Sequence, residues 1–149
     1  MVHSKFPIGY ITVRAFAHAT EDPEKVLTAM RNTLPKELGE NAFFQKTSLM
    51  GHHKNPIILF ETKLSDRQQL HIALEKIAAG LSPLDKEKLA QEIELHVEKQ
   101  NLYLRFNKQS AYQGELRLSS SDPIHFKIHF RNKTPNEIME ICRDAGVLP

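Results

Sequence analysis

The sequence predicts an α+β fold, an antiparallel β-sheet with helices packed on one face. Three observations lead there. Roughly seven short stretches alternate apolar and polar residues with the two-residue period of a strand. Four others begin with a helix-start signature, a capping side chain followed by proline or a polar partner. Strands follow one another through short turns, without the regular βαβ alternation of a parallel sheet. A sheet covered on one side leaves its other face at least partly exposed. The 149 residues fit a single domain, residues 1–149.

Gly9 to Ala19 is the first expected strand, with Ile11, Val13, Ala15 and Ala17 opposed by Thr12, Arg14, Phe16 and His18. Phe16 interrupts the polar side, which implies partial cover on both faces. Asp22 then caps a helix, Pro23 takes its first position and Glu24 complements its dipole. Val26, Leu27, Met30 and Leu34 form the apolar stripe, Pro35 stops the helix, and Lys36 to Asn41 reads as a loop. Ala42 to Met50 is a second strand with poor alternation. Gly51-His52-His53-Lys54-Asn55-Pro56 breaks regular structure, and Ile57 to Leu64 is a strand whose first four residues are apolar. The two strands make a hairpin through this loop.

Ser65 and Gln68 form a capping box for a helix that turns Leu70, Ala73, Leu74, Ile77 and Ala78 inward and ends at Gly80. Ser82-Pro83 opens a short helix to about Glu92, after which Ile93, Leu95 and Val97 begin another strand. Glu98 to Asn101 turns this strand into the stretch that organises the chain. There Leu102, Leu104 and Phe106 oppose Tyr103 and Arg105, and Leu116 and Leu118 oppose Glu115 and Arg117, across a polar connection with Lys108, Gln109 and Tyr112. Ile124, Phe126, Ile128 and Phe130 against His125, Lys127, His129 and Arg131 make the cleanest amphipathic strand. Thr134-Pro135-Asn136-Glu137 caps a final helix carrying Ile138, Ile141, Cys142 and Ala145, closed by Gly146.

Net charge is only +2, but it is unevenly placed. Residues 101–133 hold six basic groups against Glu115 and Asp122, whereas residues 61–100 hold six basic against eight acidic. The positive region therefore lies in the C-terminal strands. His125, Lys127, His129 and Arg131 project from one side. If their strand pairs with Leu102–Phe106 or Leu116–Leu118, then Tyr103, Arg105 and Arg117 join them. Arginine and lysine neutralise phosphates, and Tyr103 or Tyr112 offers a ring for a base. A solvated strand face is the plain alternative.

No run of about 18 apolar residues is present, so no membrane span is expected. Met1 to Pro7 lacks the apolar centre of a secretory signal. The lone Cys142 fits a reducing compartment and a core position rather than a nucleophile. Phosphate-loop, dinucleotide, nucleophile-elbow and paired-cysteine signatures are absent. The adjacent His52 and His53 lack further ligands at metal-site spacing, so no metal or cofactor is expected. Lys54 and Asn55 give this loop phosphate-contacting character, with a tight turn shaped by Gly51 and Pro56 as the alternative.

Three stretches carry a resemblance to a known family. They are His18-Ala19-Thr20-Glu21-Asp22 with its following helix, Gly51-His52-His53-Lys54-Asn55-Pro56-Ile57, and Asn101 to Arg105 continuing through Lys108-Gln109-Ser110-Ala111-Tyr112 to Gly114-Glu115-Leu116-Arg117-Leu118. The chain resembles archaeal RNA-binding proteins described as predicted exosome subunits, whose fold is similar to that of the large-subunit ribosomal protein that binds 5S ribosomal RNA. The resemblance implies that fold, RNA binding without catalysis, and an archaeal cytoplasmic setting. The expectation is an accessory factor in RNA processing, degradation or ribosome biogenesis. RNA and exosome or ribosome-biogenesis proteins are its expected partners, with no membrane and no small-molecule substrate. Lys54, Arg105, Lys108, Arg117, Lys127 and Arg131 are expected on phosphates, and His52, Asn55, Tyr103, Gln109 and Tyr112 in hydrogen bonds or stacking. Two other readings stay open: a protein-interaction subunit docking near Phe16, Phe43 and Phe44, and a hydrolase around His52 and His53.

Overall fold

The computed structural model describes residues 6–149; of His52 it describes the backbone only. In chain order the elements are β1 (Ile8–Ala17), α1 (Pro23–Asn32), α2 (Lys36–Asn41), β2 (Gln45–Met50), β3 (Pro56–Leu64), α3 (Arg67–Gly80), α4 (Pro83–Gln91), α5 (Ile93–His96), β4 (Val97–Glu98), β5 (Asn101–Phe106), α6 (Lys108–Tyr112), β6 (Ile124–Phe130) and α7 (Pro135–Asp144). One 3-10 turn, His52–Lys54, joins β2 to β3.

The strands form one six-stranded antiparallel sheet in the order β2-β3-β1-β6-β5-β4. Strand alternation decides its two faces. Ile11, Val13, Ala15 and Ala17 of β1, Leu102, Leu104 and Phe106 of β5, and Ile124, Phe126, Ile128 and Phe130 of β6 are all buried beneath the helices. α1 contributes Val26, Ala29 and Met30 to this layer, α3 contributes Leu70, Ala73, Leu74 and Ile77, and α7 contributes Ile138 and Cys142. Each of the larger side chains contributes roughly 1.5–3 kcal/mol by leaving water. The predicted α+β architecture is the one found.

The predicted caps hold the helix starts. Asp22 accepts from the Glu24 backbone N–H at 3.0 Å, Ser82 from that of Asp85 at 3.1 Å, and Thr134 and Glu137 form a full capping box. For α3 the cap is Asp66 rather than Ser65, accepting from the Gln69 N–H at 3.1 Å.

Four local expectations are corrected. Lys36–Asn41 is a helix, not a loop, because α1 stabilises it from outside. Arg31 donates to the Gly39 and Ala42 carbonyls at 2.7 and 3.1 Å, and a side-chain carbon on Gly39 would lie 2.3 Å from the Arg31 carbonyl. Ile93–His96 is a helical turn, and β4 is only two residues long; Ile93 reaches the core while Leu95 faces solvent. The polar connection after β5 is the helix α6, capped by Asn107 and anchored to α1 where Asn32 donates to the Ala111 carbonyl at 3.0 Å. Glu115–Leu118 forms no strand but one bridge, Leu118 to Phe106, with the Leu118 N–H on the Asp85 carboxylate at 3.1 Å. The organising element is therefore β1, hydrogen-bonded to both β3 and β6, rather than the 101–118 stretch.

Candidate nucleic-acid interface

The face opposite the helices is a grid whose rows follow from strand register. One row runs Glu61–Arg14–His125–Arg105 across β3, β1, β6 and β5, and the next runs Lys63–Thr12–Lys127–Tyr103. A third places Tyr10, His129 and Asn101 side by side. Tyr10, Thr12, Arg14, Glu61, Lys63, Tyr103, His125 and Lys127 line a shallow depression of about 400 Å³ at its centre.

Aromatic rings hold the cations in place. The Lys63 and Lys127 ammonium groups lie 4.5 and 5.6 Å from the Tyr10 ring centre, within cation–π range. His129 stacks on Tyr10 with ring centres 4.8 Å apart, and its Nδ1 lies 2.8 Å from the Asn101 side-chain oxygen. Tyr103 tilts over His125 at 5.4 Å, and its backbone carbonyl is 3.0 Å from His96 Nδ1.

This crowding sets the protonation of the face. Burial, then the charges of Arg105 and Arg14, hold His125 below the usual imidazole range. Burial, then Lys127 and Arg131, do the same to His129. The neighbouring Tyr10 phenol raises the pKa of the Lys127 ammonium against the opposing effect of burial. The free protein thus presents fixed lysine and arginine charges interleaved with imidazoles biased toward neutrality.

Of the expected contact residues, Tyr103, Arg105 and Lys127 come together on this face, and Arg131 follows His129 at its end. Arg117 lies beyond the β5 edge, exposed and paired with Glu115 at 3.1 Å. Lys54 and Asn55 sit on the exposed β2–β3 turn, at the opposite edge of the sheet, where His53 and Lys54 adopt φ of 56° and 63°. The His52 side chain lies outside the described residues. Gln109 and Tyr112 stand on α6, beside α1 in the helical layer, away from the grid.

Lys108 has a different role from the expected phosphate contact. It is only 13% exposed, its ammonium donates to the Phe16 carbonyl, and it pairs with Asp122 at 2.8 Å and Glu21 at 3.1 Å. His18, Glu21 and Asp122 place their ligand atoms within 4.8 Å of one another, a spacing that would suit a metal ion, but Lys108 supplies the positive charge there. Burial tends to raise the Asp122 pKa, yet hydrogen bonds from Lys108 and His18, with their charges, hold it below the usual carboxylate range.

Lys108→Met therefore lowers stability by roughly 1–3 kcal/mol in urea unfolding at neutral pH, the usual range for losing charged hydrogen bonds. A carboxylate whose folded pKa is depressed stabilises above its unfolded value and loses that contribution as pH falls through the folded one. The difference between wild type and variant accordingly narrows below about pH 4, which parallel urea titrations measure.

The grid residues of β1 and β3, namely Tyr10, Thr12, Arg14, Glu61 and Lys63, were not read as contacts from sequence. All lie on alternating positions of β1 and β3, so their side was legible; the pairing of β1 with both β3 and β6, which brings them into one surface with His125 and Lys127, was not. Phe16, Phe43 and Phe44 do not form one patch. Phe16 is on the open face, Phe43 is 81% exposed in a loop, and Phe44 is buried under the Arg31 guanidinium. Cys142 is buried, which pushes its thiol up to about 12, as a core residue.

A protein-family model described as RNA binding matches residues 10–130, which span β1 through β6. The RNA-binding protein PAB1135 of Pyrococcus abyssi is 36% identical over 121 residues, 79% of each chain. Protein AF2318 from Archaeglobus fulgidus, a DUF54 protein, superposes with a TM-score of 0.79 at 25% identity, covering 93% of this chain and 99% of that one. Mth689 of Methanothermobacter thermautotrophicus, also a DUF54 protein, gives 0.77 at 28% identity, covering 94% and 98%. The matched segment runs from within β1 to the end of β6 and contains the whole cationic grid, and on that ground the chain belongs to this RNA-binding family.

Proposed function

We propose that this protein is a non-catalytic RNA-binding protein that takes unpaired RNA on the open face of its sheet. The observation that carries the reading is the grid itself. Arg14, Lys63, Arg105 and Lys127 share one uncovered face with Tyr10, Tyr103, His125 and His129. Lysine and arginine neutralise phosphates, while Tyr103 provides a ring for a base, a combination suited to single strands. The histidines pack against tyrosines instead of pairing with a nucleophile, which supports binding over catalysis. An accessory role in RNA processing or degradation with the exosome, or in ribosome biogenesis, in the cytoplasm, is the cellular setting we propose.

Fluorescence anisotropy with single-stranded and hairpin RNA at several salt concentrations tests this. The expected result is micromolar or tighter binding that weakens linearly in log salt, with preference for the single strand. Absence of binding at low salt would remove the proposal. A second reading, a protein-docking subunit, is favoured by one feature: every residue of β2 is exposed, including Met50 at 71%.

Binding should also take up protons. His125 faces Arg14, Arg105 and Tyr103, and His129 faces Tyr10, Asn101, Lys127 and Arg131. RNA phosphates laid among these cations favour the imidazolium forms and raise both depressed pKa values. At constant ionic strength, affinity then increases roughly 3- to 10-fold from about pH 8 to about pH 5.5. Titrations of a His125→Gln, His129→Gln variant should show a nearly flat profile over the same range.

A further inference from the structure

The central depression holds one group that phosphate binding does not use. Thr12, a short side chain paired with Lys63 on one strand and Lys127 on the other, forms its floor. Tyr10, Arg14, Lys63, Lys127, Tyr103 and His125 rise around it. Glu61 stands on the same wall, half-buried and directly opposite Arg14. It is the only carboxylate that the four inner strands β3, β1, β6 and β5 project from this face. Despite cationic neighbours, its oxygens make no hydrogen bond or ion pair with any described residue.

A carboxylate repels the phosphate backbone, so a surface built for phosphate alone would be better without it. What it offers is a pair of acceptor oxygens within a nucleotide-sized hollow. The Watson–Crick edge of guanine presents two adjacent donors, N1–H and the 2-amino group, which one carboxylate accepts together. Cytosine offers only its 4-amino group beside an acceptor nitrogen, adenine only its 6-amino group beside another, and uracil one N–H between two carbonyls. That edge is free only in an unpaired base.

We infer that Glu61 reads an unpaired guanine seated in this depression, with Lys63, Lys127 and Arg14 on the flanking phosphates. The inference rests on the RNA-binding reading and adds a base preference to it. Lysine and arginine hold any strand, and Glu61 selects among bases where a purely structural carboxylate would not.

The test is anisotropy titration of the full chain with labelled decauridine, the same oligomer with one central guanosine, and a third with inosine in that place, which lacks the 2-amino group. The guanosine oligomer is expected to bind about tenfold tighter than decauridine, the scale of a good bidentate contact, and the inosine oligomer to fall between them. Glu61→Gln should erase the guanosine preference while leaving decauridine affinity equal or higher, because a negative charge has gone. Equal affinity of the wild type for all three oligomers would overturn the guanine reading and leave RNA binding standing. A preference that survives Glu61→Gln would overturn the role of Glu61, and failure to bind any oligomer at low salt would overturn both readings.

Discussion

Replacing Arg105, Lys127 and Arg131 together by glutamate lowers affinity for single-stranded RNA by about a hundredfold or more at low salt, and leaves the fold intact. Arg105 and Lys127 project from the open face of β5 and β6, and Arg131 continues the same side beyond β6, so no core packing depends on their head groups. Each phosphate contact to a single strand contributes about 0.7 to the slope of log affinity against log salt. Loss of three contacts should flatten that slope by about 2, while circular dichroism and the urea midpoint stay close to wild type. Reversal also introduces repulsion, so the loss exceeds that of three alanines. A folded triple variant with unchanged affinity and slope would take this face out of the mechanism.

Phe126→Ala has the largest expected effect on stability, about 3–5 kcal/mol. The side chain is fully buried on β6, between Val13 of β1 and Leu104 of β5, and meets Phe106 edge-on with ring centres 5.1 Å apart. Removing the ring loses its transfer from water and leaves a cavity that flanking strands cannot close, because their hydrogen-bonded register fixes them. For a domain stabilised by some 5–15 kcal/mol this is a large share. Urea unfolding should show a lower midpoint with an unchanged slope. His125 and Lys127 flank Phe126 in sequence, so one strand supplies both the core and the binding face. RNA affinity of the variant should fall in proportion to its folded fraction.

The limits of the sequence reading follow from the range of the interactions involved. Alternation along β6 and β5 is a local property, and it placed His125, Lys127, Tyr103 and Arg105 on one side of the sheet. Helix caps are equally local, which is why Asp22, Ser82 and Thr134 were legible. Non-local structure was not. The helix at Lys36–Asn41 depends on Arg31 reaching two carbonyls, and the α6 helix depends on its seat against α1. Lys108 read as a free cation because its partners lie 87 and 14 residues away in sequence. The same non-locality hid the central place of β1: hairpin logic pairs neighbours in sequence, whereas β1 bonds to β3 and β6 across long connections. Arg14, Lys63 and Glu61 became part of a site only once that pairing was known.

The most direct test of where RNA lies is NMR titration of isotope-labelled protein with a short single-stranded oligomer. Perturbed backbone and ring resonances should map to Tyr10, Thr12, Arg14, Lys63, Tyr103, His125, Lys127 and His129, with the amides of α3 and α7 unmoved. Perturbations confined to the helical layer or to the β2–β3 turn, with the sheet face silent, would contradict the account.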